Sequence, residues 1–406
     1  MKQDPAPNLW LKLFLPFAAG YFLSYLYRTV NAVLGPVIAR ELSLPDNALG
    51  LLTSTYFLAF GAAQLPLGIL LDRYGPRRVE AGLLAIAASG AAVFALSDSL
   101  TGLAIGRGLI GLGVSACLMA SIKAISQWYP VDRLASMTGW IMASGGLGAL
   151  AASKPLEMAL AFSSWQGIVF ALSALTLAVA ALLWLVVPDK ASESSGQGFA
   201  EQLAGVKTIF SSPHFWRYAP MGFWMTGGFM AVQGLWASRW MMELEGLTRA
   251  EVAGRLTWLS AAMLAGFVFL GFFATRLVHR GIKLSQLYVV AMIVAIVVFA
   301  LIIFQPNLAS GILWPILAMT FSLSNVAYSL VTQAFPSNIS GRANTALNLF
   351  LFAGAFGLQW GIGLLVDALQ GHGWPISDAY RTAFVLLLVG QTLALMWLVR
   401  PERRAT

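Results

Sequence analysis

The sequence predicts an all-α membrane protein of twelve transmembrane helices, arranged as two pseudo-symmetric six-helix bundles. Three observations carry that prediction. Hydrophobic residues make up 58% of the 406 positions and charged residues only 10%, which is the composition of a chain embedded in lipid. Apolar stretches of about twenty residues, each sufficient to cross a hydrocarbon layer of roughly 30 Å, recur from end to end. The first part of the chain is also similar to the second, in order.

The twelve stretches fall near 12–38, 48–71, 79–97, 101–127, 136–160, 164–187, 215–240, 252–275, 284–304, 308–333, 342–368 and 379–399. Ahead of the first, "MKQDPAPNLW" lacks the small-residue cleavage site of a removed signal peptide, so the first span is expected to stay. That span contains Arg28. A charge near the centre of a span costs about 2.5–3.5 kcal/mol on insertion scales, so it should face the bundle interior or water. Tyr21, Ser24, Arg28, Asn31 and Gly35 are spaced three and four apart, one stripe of a helix that could line an aqueous path. A guanidinium offers a planar fork of donors suited to carboxylate or phosphate. The other reading is an arginine satisfied by backbone carbonyls or a fixed partner.

The second and third spans are joined by "GILLDRYGPRR" (68–78), and the fourth contains "GRGLIGLGVSA" (106–116). In the first, Gly68 would let helices approach closely, Asp72 could face the positive end of a neighbouring helix, and Arg73, Arg77 and Arg78 would anchor the loop in the cytoplasm. Later in the fourth span, Lys123 is read either as a cavity residue or as a lysine that snorkels to the interface. In the fifth, Lys154 has Glu157 three residues on, and the two could neutralise each other. The sixth span ends at "PDKASESSGQGFAEQLAGVKTIFSSP" (188–213), rich in Ser, Gly and charge, which reads as a linker. The organisation is therefore a first bundle over 1–187, a cytoplasmic linker over 188–213 and a second bundle over 214–406.

Sliding the chain by 202 residues lays "GYFLSYLYRTVNAVLGPVIAREL" over "GFWMTGGFMAVQGLWASRWMMEL", matching Gly20 with Gly222, Ser24 with Thr226 and Asn31 with Gln233. At a shift of 203, Gly68 meets Gly271 and Arg73 meets Arg276. Duplicated bundles with a site between them are a common construction for secondary transporters. Arg28 falls opposite Met230, so the charge belongs to one half only. Among the neutral polar residues of the later spans, Gln233, Asn325, Tyr328, Asn348 and Gln359 can either glue helices together or contact solute. Tyr25, Trp236 and Trp360 could shape a pocket.

Charge distribution gives the topology. With the N-terminus inside, sixteen of the 25 basic residues lie in cytoplasmic segments, five lie outside (Arg40, Arg239, Arg249, Arg255, Arg381) and four lie within spans (Arg28, Arg107, Lys123, Lys154). The positive-inside rule then puts both termini in the cytoplasm, and the net charge of +8 is a topology signal rather than a nucleic-acid patch. The lone Cys117 excludes an intramolecular disulfide. No phosphate-cradling G-x-x-x-x-G-K-[ST] loop occurs, and His214, His279 and His372 have no Cys or acid at metal-ligand spacing. No cofactor, metal or catalytic constellation is expected, and the chain is not read as an enzyme.

"GILLDRYGPRR" resembles the loop between the second and third helices of the major facilitator superfamily, and "GRGLIGLGVSA" is similar to its fourth-helix motif, with Arg107 within the span. "GFFATRLVHRG" (271–281) is a degenerate copy of the loop, with Thr275 in place of the acid. The resemblance covers nearly the whole chain and implies the major facilitator fold, a monomer, and a conformational or gating role for Gly68, Asp72, Arg73, Gly75, Arg77 and Arg107. The run from "YLYRTVNAVLGPVIARELSLPDN" to "LLDRYGPRR", followed by "KAISQWYPVDRLASMTGW" (123–140), is similar to the anion/cation symporter and organophosphate antiporter branches. That similarity implies a substrate-anion role for Arg28 and matches Lys123 to a basic residue of those branches. Those symporters often place an Asp directly before the arginine, where this chain has Tyr27.

The expected function is a secondary transporter in the inner (cytoplasmic) membrane, embedded among lipids. It would carry a small organic anion, such as a carboxylate, sugar acid or phosphate ester, by alternating access, as symport with a proton or sodium ion or as anion exchange. Candidate substrate contacts are Arg28, Tyr25, Asn31, Lys123, Lys154, Gln233 and Gln359. An efflux carrier for a lipophilic or cationic compound is the alternative. It calls for an acid in the cavity, for which the central spans offer Glu157, and "LAASKP" stands where drug/proton antiporters of the superfamily carry a Gly-Pro and a Gly pair. A non-transporting solute sensor of the same fold is the third reading.

Overall fold

In the computed structural model, which describes residues 10–129, 131–189, 207–281, 283–304, 310–335 and 337–400, the apolar runs are helices. In the first half these are α1 (Leu15–Thr29), α2 (Asn31–Glu41), α3 (Asp46–Leu96), α4 (Leu100–Val114), α5 (Cys117–Trp128), α6 (Val131–Ala151), α7 (Lys154–Ala159) and α8 (Trp165–Val186). The second half has α9 (Pro213–Met221), α10 (Gly228–Ala231), α11 (Ala237–Glu243), α12 (Arg249–His279), α13 (Leu284–Phe304), α14 (Ser310–Ser322), α15 (Val326–Thr332), α16 (Ser337–Gly371) and α17 (Ile376–Val399). Most of the predicted linker, 190–206, lies outside the described residues, as do Lys2, Lys190, Arg403 and Arg404 from the topology count.

The predicted second and third spans form one helical run, α3, bent at Gly75, whose φ of 78° and ψ of 159° are non-helical. Only glycine takes that left-handed conformation without strain, and Pro76 follows with no N–H to lose. Here a motif residue has a plain mechanical reason. The first helices of both halves are irregular. α1 follows a π turn over Trp10–Phe14 and gives way to α2 after Thr29. Its repeat partner contains π turns over Gly222–Gly227 and Val232–Trp236, in a stretch with glycines at 222, 227, 228 and 234 that holds helix loosely.

Eight helices among the described residues are long and apolar enough to cross a membrane. The predicted spans near 12–38, 48–71, 136–160 and 215–240 are not among them. Each runs along the contact between the halves, through the pairs α3 with α16, α6 with α12, and α2 with the π turn at Val232–Trp236. The first and seventh are broken by π turns, the fifth ends at Ala151 before the short α7, and the second has Thr53, Ser54, Thr55 and Gln64 among its apolar residues.

α3 and α16 pair antiparallel across the halves. The bare Cα of Gly363 lies against Asp46, that of Gly50 against Gln359 and Trp360, and that of Gly61 against Phe352. A Cβ placed on Gly68 or Gly75 would meet no atom within 4 Å among the described residues. The close approaches that Gly50, Gly61 and Gly363 mark between the halves lie toward the Asp46 end of α3.

Candidate functional site

Between the halves lies a cavity of about 270 Å³. α1 lines it with Tyr21, Ser24, Tyr25 and Arg28, α3 with Phe60 and Gln64, and α5 with Leu118 and Met119. The second half supplies Thr226, Met230, Asn325, Tyr328, Asn344, Asn348 and Phe352. Ser24 and Thr226, matched by the repeat, both reach it, as do Arg28 and Met230.

Arg28 is the only charged residue among these lining groups. Its guanidinium carbon lies 4.5 Å from the Tyr25 ring centre, 5.4 Å from Phe60 and 5.6 Å from Phe352, so aromatic faces from both halves surround the cation. The Tyr56 phenol stands beside it and donates to the Ser24 carbonyl at 3.2 Å. Among the described residues no carboxylate pairs with Arg28, and its Nε is buried without a hydrogen-bond partner. The facing wall is neutral and polar. The Tyr328 hydroxyl donates to Asn348 Oδ1, Asn325 donates to the Ser322 carbonyl at 3.0 Å, and Asn344 Oδ1 is buried without a partner among the described residues. A cation facing amides and a phenol suits a ligand with one acidic group and several hydroxyls.

The remaining predicted contacts lie elsewhere. Asn31, 1% exposed, is one turn past the lining, with both amide atoms unpartnered among the described residues. Gln233 is buried, with Nε2 3.5 Å from Met263 Sδ. Gln359 donates to Thr53 Oγ1 at 2.5 Å, and its carbonyl accepts from Trp236 Nε1 at 2.9 Å. The bond to Thr53 crosses between halves, the one from Trp236 stays within the second, and both lie beyond the cavity toward the Asp46 end. Lys123 is half-buried on α5 and outside the lining. Lys154 pairs with Glu157 at 2.9 Å with its side chain 41% exposed, the neutralised arrangement that its spacing allowed.

The motif residues tie the first half together. Arg107, 2% exposed, donates to the Tyr27 carbonyl at 3.1 Å and lies 5.1 Å from the Tyr56 ring. Arg77 donates to the Trp184 carbonyl, Arg78 pairs with Asp189 at 2.6 Å, and Arg73 lies over Tyr74. The Asp72 side chain is outside the described residues.

Sequence reasoning missed two features. At the closed end, Asp46 Oδ1 accepts from Arg239 Nη2 at 2.7 Å and Oδ2 from the Tyr380 hydroxyl at 2.7 Å. Asp367 in turn accepts from the backbone N–H groups of Asp46 and Asn47 at 3.2 and 2.7 Å, capping the start of α3 from the opposite half. The sequence had put Arg239 in an outside loop. The second is Glu80, a fully buried acid within the third span, which corrects the reading that assigned the spans' acid to Glu157. Its position directly after "GPRRV" had hidden it among loop charges.

An all-helical membrane protein with a cavity lined from both halves of its chain is the class this architecture defines. The chain belongs to the Major Facilitator Superfamily, whose family model matches residues 17–359. It is 28% identical over 167 residues to the hexuronate transporter of Escherichia coli (strain K12), covering 41% of this chain and 38% of that protein. To the galacturonate transporter of Dickeya chrysanthemi it is 29% identical over 166 residues, 41% of this chain and 48% of the relative. The chain thus spans less than half the length of these relatives in the matched regions. The crystal structure of a bacterial homologue of the human lysosomal transporter Spinster, inward-facing and unoccupied, superposes with a TM-score of 0.77 over 97% of both chains at 18% identity, a likeness of fold.

Proposed function

We propose that the protein is a secondary transporter that carries a small organic anion of the sugar-acid class across the cytoplasmic membrane by alternating access. The observation that carries this reading is Arg28, a cation without a carboxylate partner among the described residues, which faces a neutral wall of amides and a phenol across one cavity. The carboxylate of the cargo takes the guanidinium, and its hydroxyls take Asn344, Asn348 and Tyr328. The names of the hexuronate and galacturonate transporters support the same substrate class. With both termini cytoplasmic, as the positive-inside count gives, the Asp46 end is the outer seal and the Gly75 end faces the cytoplasm. An efflux carrier for cations is disfavoured because no acid lines the cavity among the described residues.

The test is thermal stabilisation of the detergent-purified protein by galacturonate, glucuronate, phosphate esters and cationic drugs, with each hit repeated on Arg28→Ala. A ligand of the folded state raises the melting temperature by mass action. Sugar acids are expected to stabilise the wild type and not the variant. Stabilisation by cations alone, equal in both proteins, would reject this reading.

A further inference from the structure

Glu80 stands on the first turns of α3 after the Gly75 bend. It is 0% exposed, and among the described residues neither carboxylate oxygen meets a cation or an N–H or hydroxyl donor. From α1 it meets Gly20, whose bare Cα face forms its seat: a Cβ there would lie 2.1 Å from Oε1, with Leu84 packed alongside. From α5 it meets the Cys117 thiol, itself fully buried. The other charged groups nearby are engaged elsewhere: Arg77 and Arg78 with Trp184 and Asp189, and Arg107 with the Tyr27 carbonyl. α8 offers Ser173 and Thr176, which are bonded to the Ala88 carbonyl and to the Leu172 carbonyl and Tyr27 hydroxyl.

An ionised carboxylate in such a place, with no cation and only a weak thiol donor among the described residues, costs several kcal/mol. A neutral acid fits it. Gly20 lies two turns before Arg28 on α1, about 12 Å along the helix, so movement of α1 against α3 and α5 that unseats Glu80 also moves the anion-binding arginine. We propose that Glu80 is a proton-binding site that couples anion transport to proton movement. With α1 seated, the carboxyl holds its proton. When the α1, α3 and α5 contact loosens, water reaches the group and the proton leaves as the carboxylate forms. One proton accompanies one monoanion, so the pair moves without net charge. A pH gradient therefore drives accumulation and a membrane potential alone does not. This inference rests on the transport reading of the central cavity.

Two measurements test it. Infrared spectra of the lipid-reconstituted protein across a pH series report the carbonyl stretch of a protonated carboxyl without any cargo. That band is expected in the wild type and lost in Glu80→Gln. An unchanged band in the variant would overturn the proposal. In proteoliposomes, Glu80→Gln is expected to lose pH-gradient-driven galacturonate accumulation by at least about tenfold while keeping galacturonate counterflow within about twofold, and Glu80→Asp to regain part of the accumulation. A Glu80→Gln protein that still concentrates galacturonate on a pH gradient would show a merely structural carboxyl and overturn the coupling. A wild type with no galacturonate counterflow would count against the proposed cargo, and the infrared band would still decide the proton site. Should Glu80→Gln not fold, Cys117→Ser changes only the neighbour and is expected to shift the stretch; no shift would overturn the site.

Discussion

The first helix of one half and the first helix of the other present equivalent positions to the same cavity with different chemistry. Ser24 is matched by Thr226, nearly its equal, whereas Arg28 answers to Met230. The scaffold is symmetric and the charge is not. A duplicated bundle can thus hold a cargo in one orientation, acid group to the first half and hydroxyls to the second. The seal repeats the lesson in complementary form, with Asp46 from the first half and Arg239 from the second.

Breaking the seal is expected to give the largest effect. Removing one partner of a buried pair costs about 3–5 kcal/mol, so Asp46→Ala should shift the population strongly toward an open outer end. The check is labelling of a cysteine introduced at Thr53 by a membrane-impermeant thiol reagent, since native Cys117 is fully buried. Labelling as slow as in the sealed protein would mean that the halves are held by something else. Next comes Arg28→Met, which makes the first half like the second. Loss of a hydrogen-bonded charge is worth about 1.5–3 kcal/mol, or a roughly ten- to hundredfold weaker galacturonate affinity, measured by calorimetry. Asn344→Ala or Asn348→Ala should each cost about 1 kcal/mol, roughly fivefold, for galacturonate and leave a short unhydroxylated carboxylate unaffected. Equal losses for both acids would deny the division of labour between the walls. Lys154→Ala should change galacturonate uptake by less than about twofold, as expected for an exposed ion pair.

The sequence made the helices and Arg28 legible for one physical reason: apolar length and an isolated charge are both expensive to arrange by chance in lipid. The stripe from Tyr21 to Gly35 was legible only in part. Tyr21, Ser24 and Arg28 reach the cavity, but the chain changes from α1 to α2 at Val30, and Asn31 is buried past its edge. Asp46, Arg239 and Asp367 were illegible because charges at span ends are usually solvated, and only the approach of the two halves makes them partners. Gln359 read as a solute contact because a polar residue in a span looks the same whether it faces a cavity or a seam.

The antiparallel pairing of α3 with α16 also behaves as a lever. Gly61, pressed on Phe352, lies midway along the first part of α3 and is its natural fulcrum. Asp46 lies fifteen residues to one side and Gly75 fourteen to the other, arms of about 22 and 21 Å at 1.5 Å per residue. With arms so nearly equal, each ångström by which the seal parts brings the opposite end closer by about the same amount.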